Sequence, residues 1–170
     1  MFDNKKKYQK PRLKKFKTAE EKKVKTGESL RQYCFWLLAR REFGKEELLG
    51  RLKNYALDPE EAERLADEMV EKKYVDDDRM AKCVLRNEIS KGCGPRKIQM
   101  VLKHKKISSE YLEEDLKDVD WFTKAYELKV RKFGVEIVKD QKEKAKQIRF
   151  LQGRGYSLDT IFKVISYKPD

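Results

Sequence analysis

Residues 74–107, YVDDDRMAKCVLRNEISKGCGPRKIQMVLKHKKI, contain a helix start, a helix stop and a second start in one run. Three acids, Asp76, Asp77 and Asp78, stand where a helix begins. One serves as N-cap by accepting an orphan backbone N–H, and the others sit favourably near the positive end of the helix dipole. Gly92 and Gly94 are expected to supply positive φ at the exit, and Pro95 suits the first turn of the next helix, where no N–H is needed. That helix carries Ile98, Val101 and Leu102 on one face and Arg96, Lys97 and Lys103 elsewhere, which makes it short and amphipathic.

Outward from this segment the same spacing recurs. Leu48, Leu52, Leu57 and Ala62 have counterparts fifty residues on at Ile98, Leu102, Ile107 and Leu112. Leu102, Ile107, Leu112 and Leu116 have theirs forty-nine on at Leu151, Tyr156, Ile161 and Ile165. Two such matches in a chain only 39% hydrophobic mark a tandem array in which each unit packs mainly on its neighbours.

Toward the N-terminus, helical pattern begins near Ser29. Leu30, Tyr33, Cys34, Leu37 and Leu38 form a buried stripe, widened by Phe35, Trp36 and Ala39 and broken at Gly44. Leu48, Leu49 and Leu52 make a second short helix. A third opens at Asp58-Pro59-Glu60-Glu61, with Asp58 as cap, Pro59 first in the helix and Glu61 as reciprocal partner; Ala62, Leu65, Ala66, Met69 and Val70 face its core. Toward the C-terminus, Trp121, Phe122, Ala125 and Leu128 line a helix that stops at Gly134. The stretch Val135–Gln141 reads equally as loop, helix extension or brief extended piece. Ala145, Ile148, Phe150 and Leu151 make the next helix, Gly153 and Gly155 end it, and Ser157 caps the last, with Leu158, Ile161, Phe162 and Ile165 inward.

The 74–107 segment resembles the central repeat of the RecX family of bacterial recombination regulators, in which aromatic-apolar-Asp-Asp-x-Arg-Phe-Ala precedes a Gly-x-Gly turn and an Ile-x-x-x-Leu helix. The matching residues are Tyr74, Val75, Asp76, Asp77, Arg79, Met80, Ala81, Gly92, Gly94, Ile98 and Leu102. Met80 replaces an aromatic, whose space a methionine can fill, and Lys106 stands where the family often has Gly before the apolar Ile107. The run KAKQIRFLQGRGYSLDTIF, residues 144–162, resembles the family's closing repeat, so the likeness extends from about Leu30 to Ile165. Together, register and resemblance give an all-α fold: an elongated, curved tandem array of three three-helix repeats at 28–75, 76–118 and 119–170. A disordered basic tail at 1–27 precedes them. Such an array is roughly 60–75 Å end to end, against a radius of gyration of about 15–16 Å for a globule of this length.

Charge narrows the function. Charged residues make up 42% of the 170, with only twelve Gly and Pro, and the net charge is +12. That favours helices and raises the chance of a polyanionic partner, because Lys and Arg gain by releasing condensed counterions. The tail holds eleven Lys or Arg against three acids, with Phe2, Tyr8 and Phe16 interleaved. This mix suits stacking on bases or docking on an acidic protein, and equally a solvated arm. No window is apolar enough to span a membrane and no secretory h-region is present, so a soluble cytoplasmic protein with no membrane partner is expected. The cysteines Cys34, Cys83 and Cys93 show no metal-ligand spacing, and the chain's one histidine, His104, has no visible nucleophile partner. The acid run lacks a calcium loop's spacing and the glycine pairs lack a P-loop Lys. The reading is therefore a binding protein, not an enzyme, with no metal or cofactor.

The resemblance implies that the array lies along the RecA filament on single-stranded DNA, bridging protomers and suppressing extension, ATP hydrolysis and strand exchange. It further implies a place in DNA repair by homologous recombination and in the SOS response, with weak direct DNA binding and a monomeric state. A general nucleic-acid-binding helical array acting through its tail is the alternative. Candidate contacts are Lys82, Arg86, Lys91, Arg96, Lys97, Lys103, Lys105 and Lys106 in the middle repeat, and Lys142, Lys144, Lys146, Arg149 and Arg154 in the last. In the tail they are Lys5, Lys6, Lys7, Lys10, Arg12, Lys14, Lys15 and Lys17.

Overall fold

The computed structural model describes residues 25–168; the tail residues Lys5, Lys6, Lys7, Lys10, Arg12, Lys14, Lys15 and Lys17 lie outside them. Among the described residues the chain is all-α, with one isolated parallel bridge between Lys25 and Ala56. The helices are α1 (Gly27–Leu38), α2 (Lys45–Lys53), α3 (Pro59–Glu71), α4 (Asp77–Ser90), α5 (Pro95–His104), α6 (Glu113–Asp118), α7 (Trp121–Phe133), α8 (Gln141–Gly153) and α9 (Leu158–Ser166). A 3-10 turn, Ser109–Leu112, leads into α6. The third helix expected in the middle unit is thus broken, at the core-anchored Leu112, and three acids open the new helix.

Each helix packs chiefly against the helices of its own unit, and three separate cores result. The first gathers Leu30, Cys34, Leu48, Leu52, Ala62 and Met69; the second Ala81, Val84, Ile98, Leu102, Ile107 and Leu112; the third Ala125, Leu151, Tyr156, Ile161 and Val164. This is the tandem all-α architecture that the sequence register predicts. Every register position is buried except Leu116, which is half-buried, and Leu57, which is 67% exposed.

The exception has a backbone cause. After α5 and α8 a residue with positive φ, Lys106 (57°) or Gly155 (93°), turns the chain inward. The next N–H then bonds five residues back, Ile107 to Leu102 at 3.0 Å and Tyr156 to Leu151 at 3.2 Å, the Schellman pattern. After α2 no residue from 54 to 57 takes a positive φ, and the Ala56 N–H bonds four back to the Leu52 carbonyl at 2.8 Å. Ala56 therefore takes the core position one residue early, and Leu57 points out.

Other expectations are corrected in the same way. Phe35 and Trp36 do not widen the α1 stripe: they are 40% and 53% exposed, as are Leu158 (44%) and Phe162 (50%) on α9. Lys25, Thr26 and Gly27, read with the tail, belong to the first unit. The Lys25 N–H donates to the Tyr55 carbonyl at 3.1 Å and the Thr26 N–H to Ser29 Oγ at 3.1 Å. Asp58 caps α3 by accepting from the Glu60 N–H at 2.9 Å, but Glu61 does not reciprocate; its carboxylate accepts the Gly27 N–H at the start of α1. Between α7 and α8 residues 134–140 form a loop, entered at Gly134 with φ 84° and left at the cap Asp140. The buried Lys129 ties it to α7, Nζ donating to the Glu136 carbonyl at 2.9 Å, and burial lowers that amine's pKa.

Candidate interaction surface

Where units meet, the chain builds two different joints. At the first, the three acids of the 74–107 segment take separate roles. Asp76 caps α4 by accepting the Arg79 N–H at 3.2 Å, and Asp78 pairs with Lys82 at 3.0 Å. Asp77 reaches back across the joint and accepts the Lys45 N–H at 2.9 Å, capping α2. A Cβ on Gly44 would lie 3.1 Å from both the Asp77 carboxylate and Ile107, so glycine lets α2 approach this closely. Ion pairs ring the contact: Arg79 to Glu42 at 2.9 Å, Lys105 to Glu47 at 3.0 Å, Arg41 to Glu47 at 2.6 Å and Lys106 to Glu46 at 3.4 Å. Burial pushes the Glu47 carboxyl up, but Arg41 and Lys105 more than offset it and its pKa is lowered.

The second joint is made of backbone. The Gly94 N–H donates to the Arg154 carbonyl at 2.8 Å and the Arg96 N–H to the Gly155 carbonyl at 3.1 Å. Arg154 Nη1 donates to the Lys91 carbonyl at 2.9 Å, and the Tyr156 hydroxyl to the Gly92 carbonyl at 3.3 Å. Gly92 has the positive φ expected of it, 76°, but Gly94 does not, at −89°. Gly94 is needed for a different reason: a Cβ there would sit 2.8 Å from the Gly155 carbonyl group. Beside this seam the hydrogen bond from Lys91 at 2.7 Å holds the Glu88 carboxyl low, and burial followed by Glu88 pushes the Cys93 thiol up.

These joints sort the basic candidates. Lys82, Lys91, Lys105, Lys106 and Lys146 are paired with Asp78, Glu88, Glu47, Glu46 and Glu143. Arg154 is committed to the second joint and to the Phe150 ring, 5.5 Å away. Among the described residues, Arg86, Arg96, Lys97, Lys103, Lys142, Lys144 and Arg149 make no ion pair within 4.0 Å. Lys97, Lys105 and Lys106 come together with His104 and Met100, which is 63% exposed, around a groove of about 510 Å³ at the first joint. Lys142, Lys146 and Arg149 share the exposed face of α8, and none of them lines that groove. Of the middle-repeat candidates, Lys97, Lys105 and Lys106 are the three that line the groove.

Sequence reasoning missed two features. Arg131 of α7 lies at the second joint, 3.4 Å from where a Cβ on Gly92 would be. The second is an exposed aromatic strip on α1, centred on Trp36: apolar spacing alone does not say which part of a wide stripe is covered. The signal available was Arg40 four residues after Trp36, a cation placed to sit over the ring.

Among the described residues no helix is long and apolar enough to cross a membrane. The family model described as "RecX, third three-helix domain" matches residues 118–165. The Regulatory protein RecX of Acinetobacter baylyi is 44% identical over 140 residues, 82% of this chain and 88% of that protein. The Regulatory protein RecX of Vibrio campbellii is 35% identical over 144 residues, 84% and 93% of the two chains. The crystal structure of RecX from Lactobacillus salivarius superposes with a TM-score of 0.67 at 16% identity, over 81% of this chain and 93% of that one, a likeness of fold.

Proposed function

The chain belongs to the RecX family of regulatory proteins, and from that premise we propose that it regulates the RecA recombinase by binding its filament on single-stranded DNA. On this reading it restrains filament extension, ATP hydrolysis and strand exchange, as a monomer in the cytoplasm, in DNA repair by homologous recombination. The observation that carries the proposal is the series of three small cores, each with its own outer face. A body of this design touches several filament protomers at once, and linked weak contacts gain avidity on the assembled filament that one protomer cannot give. The cations that form no ion pair among the described residues, Arg86, Arg96, Lys97, Lys103, Lys142, Lys144 and Arg149, are the proposed contacts, because such a charge meets a partner without first breaking one of those pairs.

The test is RecA ATPase and filament growth on single-stranded DNA with the purified chain at several-fold excess over protomers. Inhibition of both, kept by a chain lacking residues 1–24, is the expected result. No effect of the full chain on either would remove the proposal. Inhibition that disappears with residues 1–24 would move the activity to the tail and favour general nucleic-acid binding.

A further inference from the structure

We propose that the outer face of α1, the strip Tyr33, Trp36 and Arg40 with Tyr55 and Lys25 beside it, is a stacking platform for the unpaired bases of a single-stranded nucleic acid. The strip is a stacked aromatic pair with a cation at each end. Tyr33 and Trp36 stack with centroids 5.9 Å apart and planes 18° from parallel, and Tyr55 leans on Tyr33 at 4.8 Å. Lys25 Nζ lies 5.5 Å from the Tyr33 ring and the Arg40 guanidinium 4.6 Å from the Trp36 ring.

Trp36 does not serve the core. It is 53% exposed, and it is not among the residues packed on the first cluster, whereas its neighbour Tyr33 is. An indole left in water at the centre of a cationic strip fits a ligand that brings both a flat apolar face and negative charge. Nucleotides of an unpaired strand bring both; duplex bases, already stacked, do not. Every base has a π-face, so such a platform tolerates any sequence, and Arg40, displaced from the ring by a base, is placed to take the adjoining phosphate. The charge continues beyond the strip. Lys25 is the residue at which Met1–Val24 joins the first unit, and that segment carries ten Lys or Arg against three acids.

This inference goes beyond the filament reading and is tested without RecA. A thymidine oligomer, too simple to pair with itself, is titrated into the full-length chain while tryptophan emission is followed. Trp36 and Trp121 are the chain's two tryptophans, and Trp121 is half-buried with its indole N–H donating to the Leu116 carbonyl at 2.8 Å. The expected result is saturable quenching that persists in Trp121→Phe. Trp36→Ala is expected to weaken oligomer binding, measured by fluorescence anisotropy of a labelled strand, roughly five- to a hundredfold. Trp36→Phe recovers part of the loss, and a duplex of the same length is affected less than about twofold. Unchanged Trp36 emission, or equal loss for single strand and duplex, would overturn the proposal. So would equal quenching by poly-glutamate, which would assign the strip to an acidic protein. Because the titration contains no recombinase, its failure leaves the filament proposal standing, and the reverse also holds.

Discussion

Glu68 shows how much one side chain owes to partners far along the chain. Arg31 grips it with two hydrogen bonds, 2.7 and 2.6 Å, and Lys72 adds a third at 2.6 Å, so the carboxyl pKa falls to about 2. The folded value lies below the unfolded one, roughly 4.3. The stabilisation is therefore complete above that unfolded value and is lost as pH falls toward the folded one. We expect the stability gap between the chain and its Glu68→Gln variant, measured by urea unfolding, to be constant near neutrality and to shrink below about pH 4. Carbon-detected NMR titration of the Glu68 carboxyl would check the assignment directly. The glycines give a second prediction at this scale. Gly94→Ala places a Cβ 2.8 Å from the Gly155 backbone, which cannot rotate away, and should destabilise by about 3 kcal/mol. Gly50→Ala, inside α2 with nothing within 4 Å, should stabilise by roughly 0.5–1 kcal/mol. Two opposite shifts in the urea midpoint are the expected outcome. Sequence alone places Gly94 in a turn and Gly50 in a helix; that a second backbone closes on Gly94 is visible only in the tertiary structure.

Helices in this protein are defined locally and closed locally, with instructive exceptions. The N-caps Asp76, Asp120, Asp140 and Ser157 each accept an N–H of their own first turn, a contact that needs only the right residue at the right offset. The exits are equally local. Lys106, at φ 57°, does the work that Gly155 does one unit later, and a side chain in that region costs about 1 kcal/mol relative to glycine. Lys106→Gly should therefore raise the melting temperature by a few degrees, since the ion pair it gives up, to Glu46 at 3.4 Å with the lysine 72% exposed, is worth little. A fall in melting temperature would show that this pair matters more than the strained φ. The exceptions are Asp77 and Glu61, whose acids sit in the first turn of one helix and bond to the first N–H groups of another. Spacing predicts a local partner for each, and the tertiary fold supplies a distant one.

For the whole molecule, the contrast between the joints matters more than any one unit. The first is held largely by exposed or half-exposed ion pairs around the Asp77 cap, the second by backbone hydrogen bonds between Gly94, Arg96, Arg154 and Gly155. Salt at molar strength shortens the screening length to about 3 Å and weakens the first set, leaving the second nearly untouched. Labels introduced as unnatural amino acids at Glu63 and Glu114 report the first joint, and labels at Glu114 and Asp159 the second. Raising salt should broaden the first distance distribution and not the second; equal broadening would refute the difference.

Sequence by itself determined most of the helices, several of their caps, the repeat register and most of the core positions it named, because these depend on residue type and periodicity over one or two turns. It also carried the family likeness, through motifs that lie within single units. Tertiary structure decided what lay between distant parts of the chain: that Asp77 caps α2, that Gly94 and Gly155 meet backbone to backbone, that Ala56 displaces Leu57 from the core. It also decided that Trp36, apolar and at the edge of the stripe, faces water beside Arg40. The physical reason is common to all four. A helical period says which face of an element is apolar, but what covers that face depends on the direction in which the chain leaves the helix, and one left-handed residue changes that direction.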